Sequence, residues 1–466
     1  MNLICNFSVA DFFFTDVFRK FRETRKDLCI SGIAVARNDY LNTFNYEKII
    51  YTADKGWHEE SIDLVYLSTI EDEYQFNFSE LIHTDRHLFK YIGEDKIKYG
   101  QYLIKKILVL LKEKDYGLIL SYSLTDFISL FLFRYAKSKG IKFIYFVYAR
   151  LGDKITFSDR LDTGCYDFKS KFEVNRQLYK SNPENFKETL DLINAYICNK
   201  KQPSYMISML SNGGVLSRFK RYYSTFKKVL NNYSSDKNAS NALNPFIFIR
   251  SQLIKRVNIR AYEKIRSKHG ISLAALKDIT YFIYPLHFHP EAATLIQGRW
   301  LNNQLLIIEM ISKALPANIK LGVKEHRVSV GYRDNAFYKK FLKFHNVVLL
   351  DDRLSPYDCL KYCTGLITIS SSMGIEALML NKSIICFGDI HYNYIPEVIK
   401  ARDITKIKFY ISQALKFENY NKIDYAAFLK TILENSFSLP GFSPRNYSKE
   451  NVKTFVENLN VLCNSI

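Results

Sequence analysis

Residues 365–388 read GLITISSSMGIEALMLNKSIICFG, and no other stretch limits the fold of this chain so tightly. Leu366, Ile367, Thr368 and Ile369 form a β-prone, largely apolar run, and three serines, Ser370, Ser371 and Ser372, follow it directly. A helix-forming segment over 376–380 comes next, then a second apolar run over 383–387. The order predicts a buried strand, a polar turn, a helix, a short turn and another buried strand. The hydroxyls suit the helix start, and Gly374 allows the backbone to come close to a ligand. A helix start presents unpaired N–H groups and the positive end of the helix dipole, a setting that suits phosphate. The turn also falls at the carboxyl end of a strand, where open α/β sheets bind ligands.

The same rhythm runs through much of the chain. In the first third, 30–36, 64–67, 117–121 and 141–147 read as strands, and 94–114 and 124–138 as helices. In the second half, 280–286, 320–324 and 347–350 read as strands, separated by helices expected over 292–315, 332–345 and 355–363. Further helices are expected over 404–415 and 449–463. Short apolar strands alternating with helices imply parallel sheets covered on both faces. The fold class expected is α/β, with two Rossmann-like domains facing across a cleft and a helical basic insertion. The boundaries expected are an N-terminal Rossmann-like domain over 1–164 and a helical basic insertion and connection over 165–275. A C-terminal Rossmann-like domain over 276–430 and a helical tail over 431–466 follow.

With 66 Lys and Arg against 47 Asp and Glu, the formal charge is +19, which favours an anionic partner. Residues 192–262 hold twelve basic residues and one acidic residue, Asp236, so one segment supplies over half of that excess. Within it, Leu216, Phe219, Tyr223, Phe226 and Leu230 recur at helical spacing, with Arg218, Lys220, Arg221, Lys227 and Lys228 around them. This is the pattern of an interfacial helix on an anionic membrane, or of a helix packed on the protein with a solvated basic rim. The eight cysteines are scattered with no CxxC pair, so reduced structural thiols are expected. The N-terminus shows no signal peptide and no apolar run approaches the ~20 residues a span requires, so a cytoplasmic protein whose membrane contact is peripheral is expected. Charge clustered in one segment, without a recognisable RNA- or DNA-binding signature, argues against nucleic acid as the partner.

Three motifs occur in order: YPLHFHPEAAT at 284–294, VKEHR at 323–327, and TISSSMGIEAL at 368–378 followed by IICFG at 384–388. Together they resemble the capsule polysaccharide synthesis family of bacterial glycosyltransferases, which includes Kdo transferases. The resemblance covers about residues 280–395, and Arg150, Gly152 and Asp153 in YARLGDK are similar to that family's Arg-containing loop. It implies a GT-B fold, a nucleotide-sugar donor in the C-terminal half, and a lipid-linked or oligosaccharide acceptor. No cofactor is implied, because the nucleotide sugar is itself the substrate. CMP-Kdo is the donor that the resemblance makes attractive. The chain departs from the family pattern at Arg327, where a proline commonly follows the histidine, and at His289, where relatives carry a glutamine.

Sugar transfer requires stabilisation of a departing phosphate, an oriented acceptor hydroxyl and a group at the sugar that moves a proton. Ser370, Ser371, Ser372 and the N–H groups toward Gly374 fit the first task, or simply cap a helix. His326 beside Lys324, at the same sheet edge, fits a donor phosphate; the alternative is a surface histidine in a basic loop. Glu376 suits the ribose hydroxyls, or only the electrostatics of a helix start. His287 is the candidate acid/base or sugar-carboxylate ligand, with Glu291 on the same turn as a cap or donor contact. Arg150 and Asp153 are the candidates for catalysis from the other domain, or a surface ion pair. His287, His289 and Glu291 are a weak metal set without further ligands, so turnover without metal is expected. Glycerophosphotransfer or nucleotide-sugar epimerisation on the same scaffold, and a non-catalytic assembly protein, are the competing readings.

Overall fold

Strands that are apolar on both faces need helices above and below them, and the chain solves this twice. The computed structural model describes residues 1–54, 56–86, 88, 91–182, 189, 191, 223–227, 229, 230 and 245–465. Two units emerge: one takes residues 1–160, 202–248 and 435–466, the other 161–201 and 249–434. The C-terminal segment after residue 434 is therefore part of the first unit, and the basic middle segment is divided between the two.

Strands are numbered in chain order. The first unit holds β1 (Asn2–Ser8), β2 (Cys29–Ala34), β3 (Lys48–Tyr51), β4 (Leu118–Ser121), β5 (Lys142–Tyr148), β6 (Lys154–Ser158) and β14 (Phe437–Ser438). The second holds β7 (Gly270–Ile271), β8 (Tyr281–Pro285), β9 (Lys320–Lys324), β10 (Val347–Leu350), β11 (Gly365–Thr368), β12 (Ser383–Cys386) and β13 (Ile399–Lys400). In the first sheet the order is β14-β6-β5-β4-β1-β2-β3; in the second it is β13-β12-β11-β8-β9-β10-β7. Counting from β1 and from β8, both contain the 3-2-1-4-5 order of doubly wound Rossmann sheets, and the second sheet is parallel throughout. The α/β class with two Rossmann-like domains is as expected.

The aromatic residues, 15% of the chain, have a place in the first unit. Phe13 packs edge-on against Phe442 (4.8 Å), Tyr447 (5.1 Å) and Phe455 (5.1 Å), and Phe146 lies 5.4 Å from Phe455. These rings seat the helix Lys449–Ser465 on the helix Asp11–Thr24. In the second unit, helix Phe168–Ser181 pairs with helix Lys422–Glu434 through Arg176 to Asp424 and Asn175 to Thr431 (3.0 Å).

Three expectations need correction. Residues 64–67 open a helix, Leu64–Tyr74, rather than a strand: the Asp63 carboxylate caps the N–H of Tyr66 at 2.8 Å, and Leu64 and Val65 face solvent. The long helix expected over 292–315 is two pieces. A π-helical turn, Ala293–Gln297, ends at Gly298, and Asn303 starts the helix Gln304–Ala314 by accepting from Leu306 N–H at 3.2 Å. The break follows from a close approach, since a Cβ on Gly298 would sit 2.3 Å from Ile369 Cγ2. The first sheet is not parallel throughout: β5 and β6 are antiparallel, and the loop containing Arg150 and Asp153 is the turn of their hairpin. Ala149 N–H donates to Lys154 O at 2.9 Å, and Arg150 takes a left-handed φ of 63°.

Gly298→Ala should therefore destabilise the second unit by ~1–3 kcal/mol through overpacking. In an Ile369→Ala background the same change should be close to neutral, measured as a double-mutant cycle in urea unfolding.

Candidate active site at the switch point of the second sheet

In the second sheet the chain leaves β8 toward one side and β11 toward the other, so their carboxyl ends form the switch point where doubly wound sheets bind ligands. His287 follows β8 and the serines follow β11. The structure brings them into contact: Ser370 N–H donates to His287 Nε2 at 3.2 Å, and Thr368 Oγ1 lies 3.4 Å from the same nitrogen. An Nε2 that accepts from a backbone N–H assigns the proton of the neutral ring to Nδ1. His287 is thus fixed as a neutral imidazole, and a proton can reach Nε2 only by displacing Ser370. The His287 main chain is clamped as well. Its N–H donates to Gln304 Oε1 (2.7 Å), and Gln304 Nε2 donates back to its carbonyl (3.0 Å).

The serine turn differs from an open anion cradle. Ser371 N–H donates to Thr368 Oγ1 (3.1 Å), Met373 N–H to Ser371 Oγ (3.2 Å), and Gly374 N–H to Ser371 O (3.1 Å). Ser370 Oγ donates to Ala293 O at 3.2 Å, which ties the turn to the π-helical segment. Ser372 is the exposed member, and its side chain makes no capping bond to the helix Met373–Met379. Gly374 does not open the backbone to a ligand. A Cβ there would lie 2.3 Å from Tyr392 Cε1, and Tyr392 donates to Ser371 O at 3.2 Å, so the glycine makes room for a tyrosine that braces the turn.

Glu376 sits one turn into that helix. Its carboxyl is pushed up to about 7 by burial, the sole cause of the shift. The residue retains partial surface access, so this is a sheltered carboxyl at the edge of the site rather than one sealed in the core. A carboxyl poised near neutrality at a switch point is the kind of group found at functional sites.

At the end of β9 the VKEHR residues divide their tasks. Lys324 is buried, and its ammonium donates to the carbonyls of Asp351 (3.4 Å) and Asp352 (3.1 Å) rather than projecting into a donor site. Burial lowers its pKa. Glu325, unassigned from sequence, is 1% exposed. It accepts two bonds from Arg333 Nη1 (2.5 and 2.7 Å), one from Tyr338 OH (2.6 Å) and one from His326 N–H (2.7 Å). Arg333 Nη2 also donates to His287 O, so one guanidinium links the ends of β8 and β9. Burial raises the Glu325 pKa, while Arg333 and Tyr338 oppose the rise.

His326 keeps surface access, yet crowding around the ring and the charges of Arg333 and Lys324 hold its pKa below the usual histidine range. His289 is lowered for the same two kinds of reason, desolvation first and Arg333 second, and its Nδ1 lies 2.9 Å from Thr294 Oγ1. Both rings are therefore neutral at pH 7 in the resting protein. Glu291 is exposed, and its carbonyl starts the π-helical turn by accepting from Thr294 and Leu295. Arg150 and Asp153 lie in the first unit, on the β5–β6 turn, while every other candidate lies in the second. Among the described residues, no group of three or more His, Cys, Asp or Glu side chains is placed to hold a metal ion.

Sequence reasoning missed Gln304, Glu325, Arg333 and Thr368. Glu325 carried a usable signal, as a carboxylate directly after a strand whose last residues are all buried. Trp300, 78% exposed on the loop after Gly298, also went unread.

Fold and site define a doubly wound α/β protein whose polar machinery lies at the carboxyl edge of its second sheet. Residues 216–396 match the family described as capsule polysaccharide biosynthesis protein, and the family resemblance seen in the motifs is thereby borne out. No protein among the curated sequences matches the chain. Solved structures that resemble it include the Thermosulfurimonas dismutans KpsC β-Kdo 2,7-transferase, at 12% identity over 83% of this chain and 97% of that chain, with a TM-score of 0.33. The Methanocaldococcus jannaschii UDP-GlcNAc 2-epimerase in complex with UDP-GlcNAc and UDP is 12% identical over 93% and 99%, with a TM-score of 0.29. Anabaena HepE in complex with UDP and glucose is 9% identical over the full length of both chains, at a TM-score of 0.27. The fold assignment rests on the strand order rather than on these superpositions.

Two outcomes are expected. Arg333→Met leaves a buried carboxylate without its partner and should destabilise the second unit by ~3–5 kcal/mol, read by urea unfolding. Glu376→Gln tests the raised carboxyl. A folded pKa of about 7 against an ordinary 4.5 makes the folded state the better proton binder, so this group's contribution is full below pH 4.5 and lost as pH rises through 7. Glu376→Gln should remove that slope and stabilise the protein at pH 8 relative to pH 5 by about 2 kcal/mol, measured as unfolding free energy against pH.

Proposed function

We propose that the protein is a glycosyltransferase of capsule or related surface polysaccharide synthesis. It transfers a sugar from a nucleotide donor to a lipid-linked or glycan acceptor, with CMP-Kdo the donor placed first. The observation that carries this reading is the family match over residues 216–396, which spans the three motifs that meet at one sheet edge. In this reading Ser372 and His326 take the donor phosphate, and the sheltered Glu376 carboxyl takes the ribose hydroxyls. Proton uptake by His326 accompanies phosphate binding, because an anion beside the ring offsets the desolvation and the repulsion that together keep it neutral. His287, neutral and held by Ser370, positions the serine turn on the donor side rather than acting as a base. Glu291 on the following turn completes the donor side. Arg150 and Asp153 serve the acceptor.

Peripheral attachment to the cytoplasmic face of the inner membrane through residues 216–230 belongs to the same proposal. Residues 216–222 and 228 of that segment lie outside the described residues. Among the rest, Tyr223 is 67% and Leu230 42% exposed, which leaves apolar surface available for such a contact. No described helix is long and apolar enough to cross a membrane.

A thermal-shift panel with CMP, CDP, UDP and GDP tests the donor. CMP should give the largest rise, greater at pH 6 than at pH 8, and Ser372→Ala and His326→Ala should each reduce it. Equal shifts with all four nucleotides, or no shift, would remove CMP from the proposal. Incubation with the preferred nucleotide sugar should release the nucleotide with a new glycosidic product, and activity should persist in EDTA. An epimerised nucleotide sugar, or glycerophosphate transfer, would reassign the reaction.

A further inference from the structure

The long helix Pro245–His269 leaves one side unaccounted for. Its inward side is satisfied: Tyr262 is 1% exposed and donates to Asp352 at 3.2 Å, Arg266 pairs with the same carboxylate at 3.2 Å, and Ile265 is buried. Its outward side carries Leu253, Ile254 and Val257, which are 54%, 49% and 63% exposed. Spacings of three, four and seven residues put Arg250, Leu253, Ile254 and Val257 on one stripe, and the same spacings from Val257 continue it through Arg260, Ala261 and Lys264.

Beside this stripe lies a groove of about 780 Å³, bordered on its other side by the helix Asn335–Phe341 and the residues after it. Arg260, Lys264, Lys268, His269, Lys339 and Lys343 line it over an apolar floor that includes Ala261, Ile265 and Leu342, and among the described residues no carboxylate contributes to its walls. The one carboxylate of the long helix, Glu263, is exposed and is outnumbered by seven arginines and lysines on that helix. Cations gathered without internal counter-charge call for an anion from outside. Exposed aliphatic side chains in the same stripe call for an apolar partner as well. A soluble acidic glycan or a nucleic acid would satisfy the charge but leave Leu253, Ile254 and Val257 in water, together with Phe246, which the same spacing places on the stripe and which is 80% exposed. An anionic bilayer satisfies both.

We infer that the outward face of helix Pro245–His269, with the basic groove next to it, is a docking surface for an anionic lipid bilayer. The surface lies within the second unit from Ile249 onward and is separate from residues 216–230. The inference does not depend on the donor assignment.

The test is co-sedimentation of the full chain with vesicles of phosphatidylcholine alone and of phosphatidylcholine with about one third phosphatidylglycerol. The chain should bind the anionic vesicles and weaken as salt rises. Leu253→Ser with Val257→Ser should reduce that binding roughly tenfold, and Lys264→Glu with Lys268→Glu at least as much. Both variants should keep the melting temperature and the nucleotide response of the parent, so a failure of the docking surface and a failure of the donor site are read separately. Val257→Trp provides an independent reading, since its emission should shift to the blue on adding anionic vesicles. Vesicle binding unchanged in both double variants, or an indole that does not respond, would overturn the inference. So would binding lost only on charge reversal and competed by polyphosphate, because that result assigns the groove to a soluble polyanion.

Discussion

The guanidinium of Arg333 is the joint on which the second unit's functional edge is built. β8 and β9 end side by side, and beyond their last paired residues the backbone must find other partners. Arg333 supplies them from one planar fork: two bonds to the buried Glu325 carboxylate after β9 and one to the carbonyl of His287 after β8. Tyr338 OH and the His326 N–H take the further acceptor positions on Glu325. A lysine could not make this arrangement, because a point charge on a flexible stem does not hold three acceptors in one plane. The placement of His287 against Ser370, and of His326 against Glu325, follows from this fork.

The same joint sets the charge state of the edge. Desolvation first, and then the charge of Arg333, hold both His326 and His289 below the usual histidine range, with the buried Lys324 adding to the effect at His326. Positive charge is thus held by groups that face into the fold, while the His326 ring and Ser372 face outward as neutral groups. Glu376, held near neutrality by burial, adds no strong negative charge to oppose an incoming phosphate at pH 7.

Much of the layout was legible before the structure. Runs such as 280–286 and 383–387 could be read as strands because both faces are covered, so the apolar signal is continuous and needs no phase. β1 was harder, since Asn2 and Asn6 interrupt its apolar run; Asn6 is tolerated inside because its amide donates to Ser121 Oγ at 3.1 Å on the adjacent β4. The Leu64–Tyr74 helix was misread because its first residues are β-prone, and the deciding feature is a single capping carboxylate on Asp63. Local propensity lost in each case to one long-range or capping bond that a window of sequence does not display.

The site was legible as a set of motifs but not as a geometry. Three serines before a helix suggested donors waiting for a phosphate, yet a buried turn cannot leave its N–H groups unsatisfied in the resting protein. Thr368 and the serines themselves therefore close the turn, and Tyr392 fills the space that Gly374 leaves. The outcome changes what an incoming anion has to do. It meets Ser372 and side chains from β8 and β9 first, and reaches the inner N–H groups only by exchanging bonds already made. Recognition at this edge is then a property of three strand ends acting together. That explains why the motifs occur as an ordered set, although each of them taken alone is a common fragment of an α/β sheet.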